Sequence, residues 1–193
     1  MMFEVAEAHR AHPLERVCGD ACLVSQDDWG VKCVILDGVG HGPKAHRVAS
    51  QLLGFMREHV VRDPSKCLQA LHCEAAGSEG AVAGVMVIER ASGTLSYAAL
   101  GNTVARVFGR HRRQFISQPG VLGQRMRSLL PQTAQVAPGD VVVLHTDGIS
   151  GNFDAVNLPE LRVASAQSLV ATLIEHFSKP YDDAGCIVVK VLP

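Results

Sequence analysis

Aspartates stand at positions in this 193-residue chain where strands are predicted to begin or end. Asp20 lies in the first predicted strand, Asp37 and Asp147 end later ones, and the pair Asp182-Asp183 precedes the last. Aspartate is disfavoured in strands, so these positions indicate a specific role. Carboxylate oxygens are the ligands that hard cations such as Mg²⁺ and Mn²⁺ prefer. The pattern predicts a metal site, and two ions sharing a carboxylate would suit phosphoryl transfer.

The turn between the first two predicted strands sharpens this hypothesis. A hairpin turn centred between Asp28 and Trp29 places Asp20 directly opposite Asp37, with Cβ atoms roughly 5 Å apart. Two like charges facing each other destabilise a sheet. Lys32 is the only basic residue in these strands. Because side chains alternate between the two faces of a strand and Lys32 is five residues from Asp37, the two side chains are expected on opposite faces of the sheet. A bound cation between the two carboxylates is therefore the natural solution.

Neighbouring residues have two open interpretations. Asp-Gly is a common turn dipeptide, so Asp37 and Asp147 could each simply form a turn. Gly38 has no side chain, and its backbone carbonyl could approach a metal closely. His41 lies between two glycines, where it could contact phosphate or give a proton to a leaving oxygen, or be an ordinary loop histidine.

Hydrophobic periodicity predicts the elements that position these residues. Helices are predicted from Pro43, from the N-cap Asp63 to about Ala75, and from the N-cap Ser165. The residues before Val17 are interpreted as a lead-in. Strands and helices occur in blocks, which favours an α+β fold of mostly antiparallel sheets that face each other, with helices on the outer faces. Strands are predicted at 17–24, 31–36, 81–89, 94–100, 104–108, 115–117, 141–145 and 186–192.

Composition excludes several classes of protein. Hydrophobic residues make up 47% of the chain and charged residues 19%, which is enough for the packed core of a single domain over residues 1–193. Lys and Arg number 18 against 19 Asp and Glu, which argues against a nucleic-acid or anionic-membrane partner. There is no apolar run of membrane-spanning length, and the charged residues near the start argue against a secretory signal. A cytoplasmic location is expected.

A basic run at Arg110-His111-Arg112-Arg113 separates two predicted strands. The simplest interpretation is a solvated hairpin turn. The alternative is an edge that steers an acidic or phosphorylated partner.

The acidic motifs resemble those of a known family, the metal-dependent serine/threonine phosphatases (PPM, or type 2C). In its SpoIIE-like branch the motifs GD, DGxGHGxxA, TDG and DDxT occur in this order, and the second of them is specific. The chain resembles them over about Gly19 to Val189, and it is most similar to the stand-alone phosphatases of the stressosome. The matching segments are Cys18-Gly19-Asp20, residues 37–45 (DGVGHGPKA), Thr146-Asp147-Gly148-Ile149 and Asp182-Asp183.

The resemblance implies an αββα sandwich with two Mn²⁺ or Mg²⁺ ions at one end. Asp37 would bridge both ions and the Gly38 carbonyl would bind one of them. Asp20 would serve the second ion, and Asp147 and Asp182 the first. A water bridging the ions would attack the phosphorus of phosphoserine or phosphothreonine. Asp20, Asp37 and Asp147 would then act in catalysis through that water.

The implied substrate is a phosphorylated signalling protein of the stressosome with a STAS-type fold. One alternative is a phosphatase-like binding module with weak or no turnover. A hydrolase of small phosphate esters is another, which a deep enclosed pocket would support. The chain departs from the family pattern where Gly185 replaces the Thr of DDxT. No counterpart of the phosphate-binding Arg of eukaryotic relatives is evident, although Arg10 and Arg16 are candidates by position.

Overall fold

The computed structural model describes residues 1–127, 129–154, 156 and 158–193. Within these residues, strands form two five-stranded sheets, and every strand pairs antiparallel to its neighbours. The strands are β1 (Met2–Arg10), β2 (Asp20–Gln26), β3 (Gly30–Gly38), β4 (Ala81–Glu89), β5 (Thr94–Leu100), β6 (Val104–Phe108), β7 (Arg113–Phe115), β8 (Gln132–Gln135), β9 (Val141–His145) and β10 (Ala184–Leu192). The helices are α1 (Gly42–Glu58), α2 (Pro64–Glu74) and α3 (Ala166–Phe177), with a short 3₁₀ turn at Pro159–Arg162.

The sheets face each other and carry helices on their outer sides. The first has the order β1-β10-β9-β6-β7 and is covered by α3, and the second has the order β2-β3-β4-β5-β8 and is covered by α1 and α2. Side chains from both sheets form the central core, among them the fully buried Ile35, Tyr97, Leu144 and Ile187. The predicted α+β class and the αββα sandwich are therefore confirmed.

The helices begin where the sequence predicts. Asp63 caps α2 by accepting hydrogen bonds from the backbone N–H groups of Ser65 and Lys66. Ser165 caps α3 through the N–H of Ser168. In α1, the apolar residues recur at helical spacing and bury one face against the second sheet. No helix among the described residues is both long and apolar enough to span a membrane.

Two strands were missed by the sequence analysis. The supposed lead-in contains β1, which pairs with β10 from Met2 opposite Leu192 to Arg10 opposite Ala184. Only Phe3 and Ala6 of β1 are buried, so its alternation of apolar and polar residues is too weak to predict a strand. The short strand β8 is polar and was missed for the same reason.

Four predicted strands also had wrong boundaries, and one of them, β3, spans Gly30–Gly38 where residues 31–36 were expected. The first hairpin strand begins at Asp20 and not at Val17, because the preceding residues form a loop that contacts Asp183, just before the last strand. The final strand begins at Ala184 instead of Cys186. Strand β7 spans Arg113–Phe115 where residues 115–117 were expected.

Candidate metal centre

The β2–β3 hairpin places Asp20 directly opposite Asp37, as its turn predicted. Asp20 is the first residue of β2 and is 3% exposed, whereas Asp37 lies next to the end of β3 and is half-buried. The next residue, Gly38, lies against α1, where a Cβ would stand 2.4 Å from the carbonyl oxygen of Ala45. Only glycine allows this approach, so Gly38 holds the end of β3 against the start of the helix.

The other acidic residues come from the facing sheet. Asp147 lies in the turn after β9, and Asp182 and Asp183 directly precede β10, which pairs with β9. The two segments are in close contact, since a Cβ on Gly148 would lie 1.7 Å from the carbonyl oxygen of Asp183. The structure therefore brings together the matching ends of two sheets.

Thr146 connects the two sheets at this point. Its hydroxyl donates a hydrogen bond of 2.7 Å to Oδ2 of Asp20 and accepts the N–H of Gly185 at 3.0 Å. All three residues are buried. Thr146 was noted only as part of a motif, because its contact partners are 126 and 39 residues away along the chain. No local sequence signal could have predicted this contact.

Electrostatic repulsion is the main property of the cluster. Burial, followed by the charge of Asp147, raises the pKa of Asp37 to about 7. Burial and the facing Asp37 raise the pKa of Asp20 well above its usual range, although the Thr146 hydrogen bond opposes this. Burial and Asp147 also raise the pKa of Asp182. Each ionised carboxylate therefore makes ionisation of its neighbours less favourable.

The loop between β1 and β2 closes one side of the cluster. The backbone N–H of His12 donates to Oδ1 of Asp183 at 2.8 Å. Oδ2 of Asp183 is buried and has no hydrogen-bond partner among the described residues. In the same loop, the thiol of Cys18 contacts the carbonyl of Arg10, and burial raises its pKa to about 12. This thiol is therefore neutral at physiological pH.

His41 lies at the N-cap of α1 and is exposed. Its Nδ1 lies 2.8 Å from Oε1 of Glu15, and its ring stacks on that of His12 with centroids 4.8 Å apart. The imidazole is thus held at the rim of the cluster by the β1–β2 loop.

Of the two arginines considered for phosphate binding, Arg10 lies at the acidic cluster. Its guanidinium donates to the backbone carbonyls of Lys179 and Asp182, so it holds the loop that carries Asp182. Arg16 is exposed on the β1–β2 loop.

The chemistry of the donor set fits a hard divalent cation. The acidic side chains of the cluster offer carboxylate oxygens, and the repulsion between them is of the kind that a cation relieves. A cation would also stabilise the buried Oδ2 of Asp183, which has no hydrogen-bond partner among the described residues. Within the described part of the chain, no group of three or more His, Cys, Asp or Glu side chains is already arranged to hold an ion.

Comparison with known proteins places these features in a family context. The family model described as Stage II sporulation protein E (SpoIIE) matches residues 27–192. A search of curated proteins found no significant match.

Solved structures with the same fold cover nearly the whole chain. One from work on the bacterial stressosome, "a modular system that has been adapted to control secondary messenger signaling", is 29% identical. It aligns over 98% of this chain and 100% of its own, with a TM-score of 0.91. RsbX, crystallised with magnesium, is 19% identical and has a TM-score of 0.78 over 98% and 95% of the two chains.

A third structure contains the PP2C phosphatase domain and part of the regulatory domain of SpoIIE from Bacillus subtilis. It is 15% identical, with a TM-score of 0.81 over 99% of this chain and 64% of its own. The last two structures, at this level of identity, support the fold alone.

Proposed function

Because the chain belongs to the SpoIIE family of PP2C-type phosphatase domains, we propose that it hydrolyses phosphoserine or phosphothreonine on a protein. The observation that carries this proposal is the buried pair Asp20 and Asp37, with Asp147 close enough to raise the pKa of Asp37. Without a cation, such a cluster of buried carboxylates destabilises the fold, so its presence is better explained by cation binding than by a structural role.

Asp20, Asp37, Asp147 and Asp182, with the carbonyl of Gly38, would hold two Mn²⁺ or Mg²⁺ ions in this proposal. When bound, such ions lower the pKa of a coordinated water and stabilise the charge of a transferring phosphoryl group. The family likeness, and not the distances in the structure, supplies the number of ions and the sharing of Asp37.

The contribution of the chain itself is to hold these oxygen atoms in place. Thr146 orients the Asp20 carboxylate, and Gly148 and Arg10 hold the loops that carry Asp147 and Asp182. His41 lies at the rim, where it could give a proton to the leaving serine or threonine oxygen. Its contact with Glu15 would keep the ring oriented for this role.

The proposed substrate is a phosphorylated protein of bacterial stress signalling, such as a STAS-domain component of the stressosome. Support comes from the 29% identity over 98% of the chain with a structure from stressosome work. A protein substrate also suits a centre formed by loops at the edge of two sheets, since such an edge can receive a phosphorylated segment of another protein.

The test measures hydrolysis of p-nitrophenyl phosphate and of phosphoserine and phosphothreonine peptides. Purified protein is assayed with Mn²⁺, with Mg²⁺ and with chelator, beside Asp147→Asn and the matched control Asp28→Asn in the exposed hairpin turn. We expect turnover that requires a cation, falls by about 10²-fold or more in Asp147→Asn and persists in the control. Incubation with phosphorylated stressosome proteins then identifies the phosphosites that are removed.

Cation-independent turnover, or full activity in Asp147→Asn, would contradict the proposed chemistry. Binding of phosphopeptides without any turnover would instead support a phosphatase-like binding module. Hydrolysis of peptides but of no phosphosite on stressosome proteins would remove only the substrate assignment.

A further inference from the structure

A groove of about 280 Å³ begins at Asp147 and is lined on its other sides by Arg106, Gln114 and Lys179, among other residues. A second groove of about 220 Å³ shares two of these residues, Arg106 and Gln114, and continues to Arg112 and Arg113. The two grooves together are named the basic groove here. The metal centre lies at one end, and the basic run that separates β6 from β7 lies at the other.

Arg106 is held in one orientation in the middle of the basic groove. One of its guanidinium nitrogens donates a 2.7 Å hydrogen bond to the carbonyl of Gly151, in the segment after Asp147. The guanidinium also lies 4.8 Å from the ring centroids of both Phe108 and Phe153. A cation that is already ordered loses little conformational entropy when it binds an anion.

The other cations of the basic groove extend this positive charge in both directions. Lys179 lines the same groove as Asp147, so its ammonium lies on the side of the groove next to the acidic cluster. At the far end, Arg112 and Arg113 are exposed. Arg112 lines the same groove as Arg106, and its charge adds to burial in lowering the pKa of the Arg106 guanidinium, whereas the charge of Asp154 opposes this.

We propose that the basic groove binds an acidic segment of the protein substrate, next to the phosphorylated residue. This rests on the proposed phosphatase function and adds a substrate class to it, namely sites flanked by Asp and Glu. The chain as a whole has a net charge of −1, so a local row of cations is what would attract such a segment. It would also offset the repulsion between an acidic substrate and the aspartates of the centre.

Strand register sets the expected spacing of the acidic residues. Arg113 pairs with Val107, and Val107 pairs with Val142, which precedes Asp147 by five residues. At about 3.3 Å per residue the far end of the basic groove is roughly 17 Å from the level of Asp147. An extended peptide covers this length in about five residues. Acidic side chains about three to five positions from the phosphorylated residue should therefore reach the arginines.

The test compares fluorescent phosphothreonine peptides that differ only at these positions. One set carries Asp and Glu on the N-terminal or C-terminal side, and the other carries Asn and Gln. The full chain is assayed for kcat/KM with Mn²⁺, and for peptide binding by anisotropy in chelator. The variant is the double substitution Arg112→Glu and Arg113→Glu. Its matched control is Arg57→Glu with Lys66→Glu, which makes the same charge change on the helices of the second sheet.

We expect the protein and the control variant to prefer the acidic peptide by about five- to tenfold, and the groove variant to lose this preference. The preference should also shrink in 0.5 M salt, because both partners are exposed to solvent. Salt shortens the distance over which exposed charges interact, from about 8 Å at 0.15 M to about 3 Å at 1 M. Equal use of both peptides, or a preference that survives in the groove variant, would overturn the proposal. So would self-association that disappears in the groove variant, because the groove would then bind a second copy of the chain.

Failure of the phosphatase function has a different signature. If neither p-nitrophenyl phosphate nor any peptide is hydrolysed, the proposed function fails. Selective binding of the acidic peptide that is lost in the groove variant would then still support the assignment of the basic groove.

Discussion

The two ends of the β2–β3 hairpin carry aspartates in opposite environments. At the turn, Asp27 accepts hydrogen bonds from the backbone N–H groups of Trp29 and Gly30, and the Gly30 bond above all lowers its pKa. At the open end, burial and the charge of Asp147 raise the pKa of Asp37 to about 7. The same residue type therefore stabilises one end of the hairpin and destabilises the other.

The strand β9 repeats this contrast. Before it, Asp140 accepts hydrogen bonds from the N–H groups of Ala137 and Arg110. After it, Asp147 lies beside other carboxylates and raises the pKa of two of them. Aspartates that backbone donors satisfy are structural, whereas aspartates that face each other indicate a site for a cation. Four predictions test this difference, from the largest expected effect to the smallest.

The first concerns Asp37→Asn. It should lower cation-dependent turnover of p-nitrophenyl phosphate by about 10³-fold, because the proposed shared ligand of the two ions would be lost. The same substitution should raise the free energy of unfolding in chelator at pH 8 by about 2 kcal/mol, because it removes a repelled charge. Urea unfolding measures the second effect. Asp27→Asn is the control and should leave turnover within about twofold. A less stable Asp37→Asn protein in chelator would contradict the proposed repulsion.

The second concerns the pH dependence of stability without metal. The pKa of Asp37 is raised to about 7 in the folded chain, so the folded state binds its proton more tightly than the unfolded state does. Its stabilising contribution is complete below the ordinary aspartate pKa and is lost as the pH rises through about 7. In chelator, Tm should fall by about 5 °C from pH 5.5 to pH 8, and Mn²⁺ should restore it. A Tm that rises over this interval in chelator would count against the assignment.

The third concerns Thr146→Val, which removes the hydroxyl that orients Asp20. We expect the Mn²⁺ concentration for half-maximal activity to rise by about tenfold, as is typical when a residue that orients a metal ligand is changed. Thr146→Ser keeps the hydroxyl and should remain close to the parent protein. Equal behaviour of the two variants in a Mn²⁺ titration would show that packing, and not the hydrogen bond, accounts for the effect.

The smallest expected effect is that of Asp63→Ala, at the cap of α2. Here the aspartate is bonded to backbone N–H groups, so its loss should cost about 1 kcal/mol of stability in urea unfolding. The half-saturating Mn²⁺ concentration should not change. A change in that concentration would mean that capping aspartates and cluster aspartates are not separate classes.

Local sequence patterns predicted the hairpin, its register and the helix caps, because each depends on residues a few positions apart. The opposition of Asp20 and Asp37 follows from a single turn. Strand β1 could not be predicted in this way, because it is stabilised by β10 at the other end of the chain. The hydrogen bond from Thr146 to Asp20 likewise depends on how two sheets face each other.

The order of elements, the class of fold and the set of acidic residues are properties of the sequence, since turn chemistry and periodicity act locally. Which ends of the two sheets meet was decided only by tertiary packing. That packing buries the aspartates together, which raises the pKa values of Asp20, Asp37 and Asp182. It also places the cations of the basic groove beside them, because β6 and β9 are neighbours in one sheet.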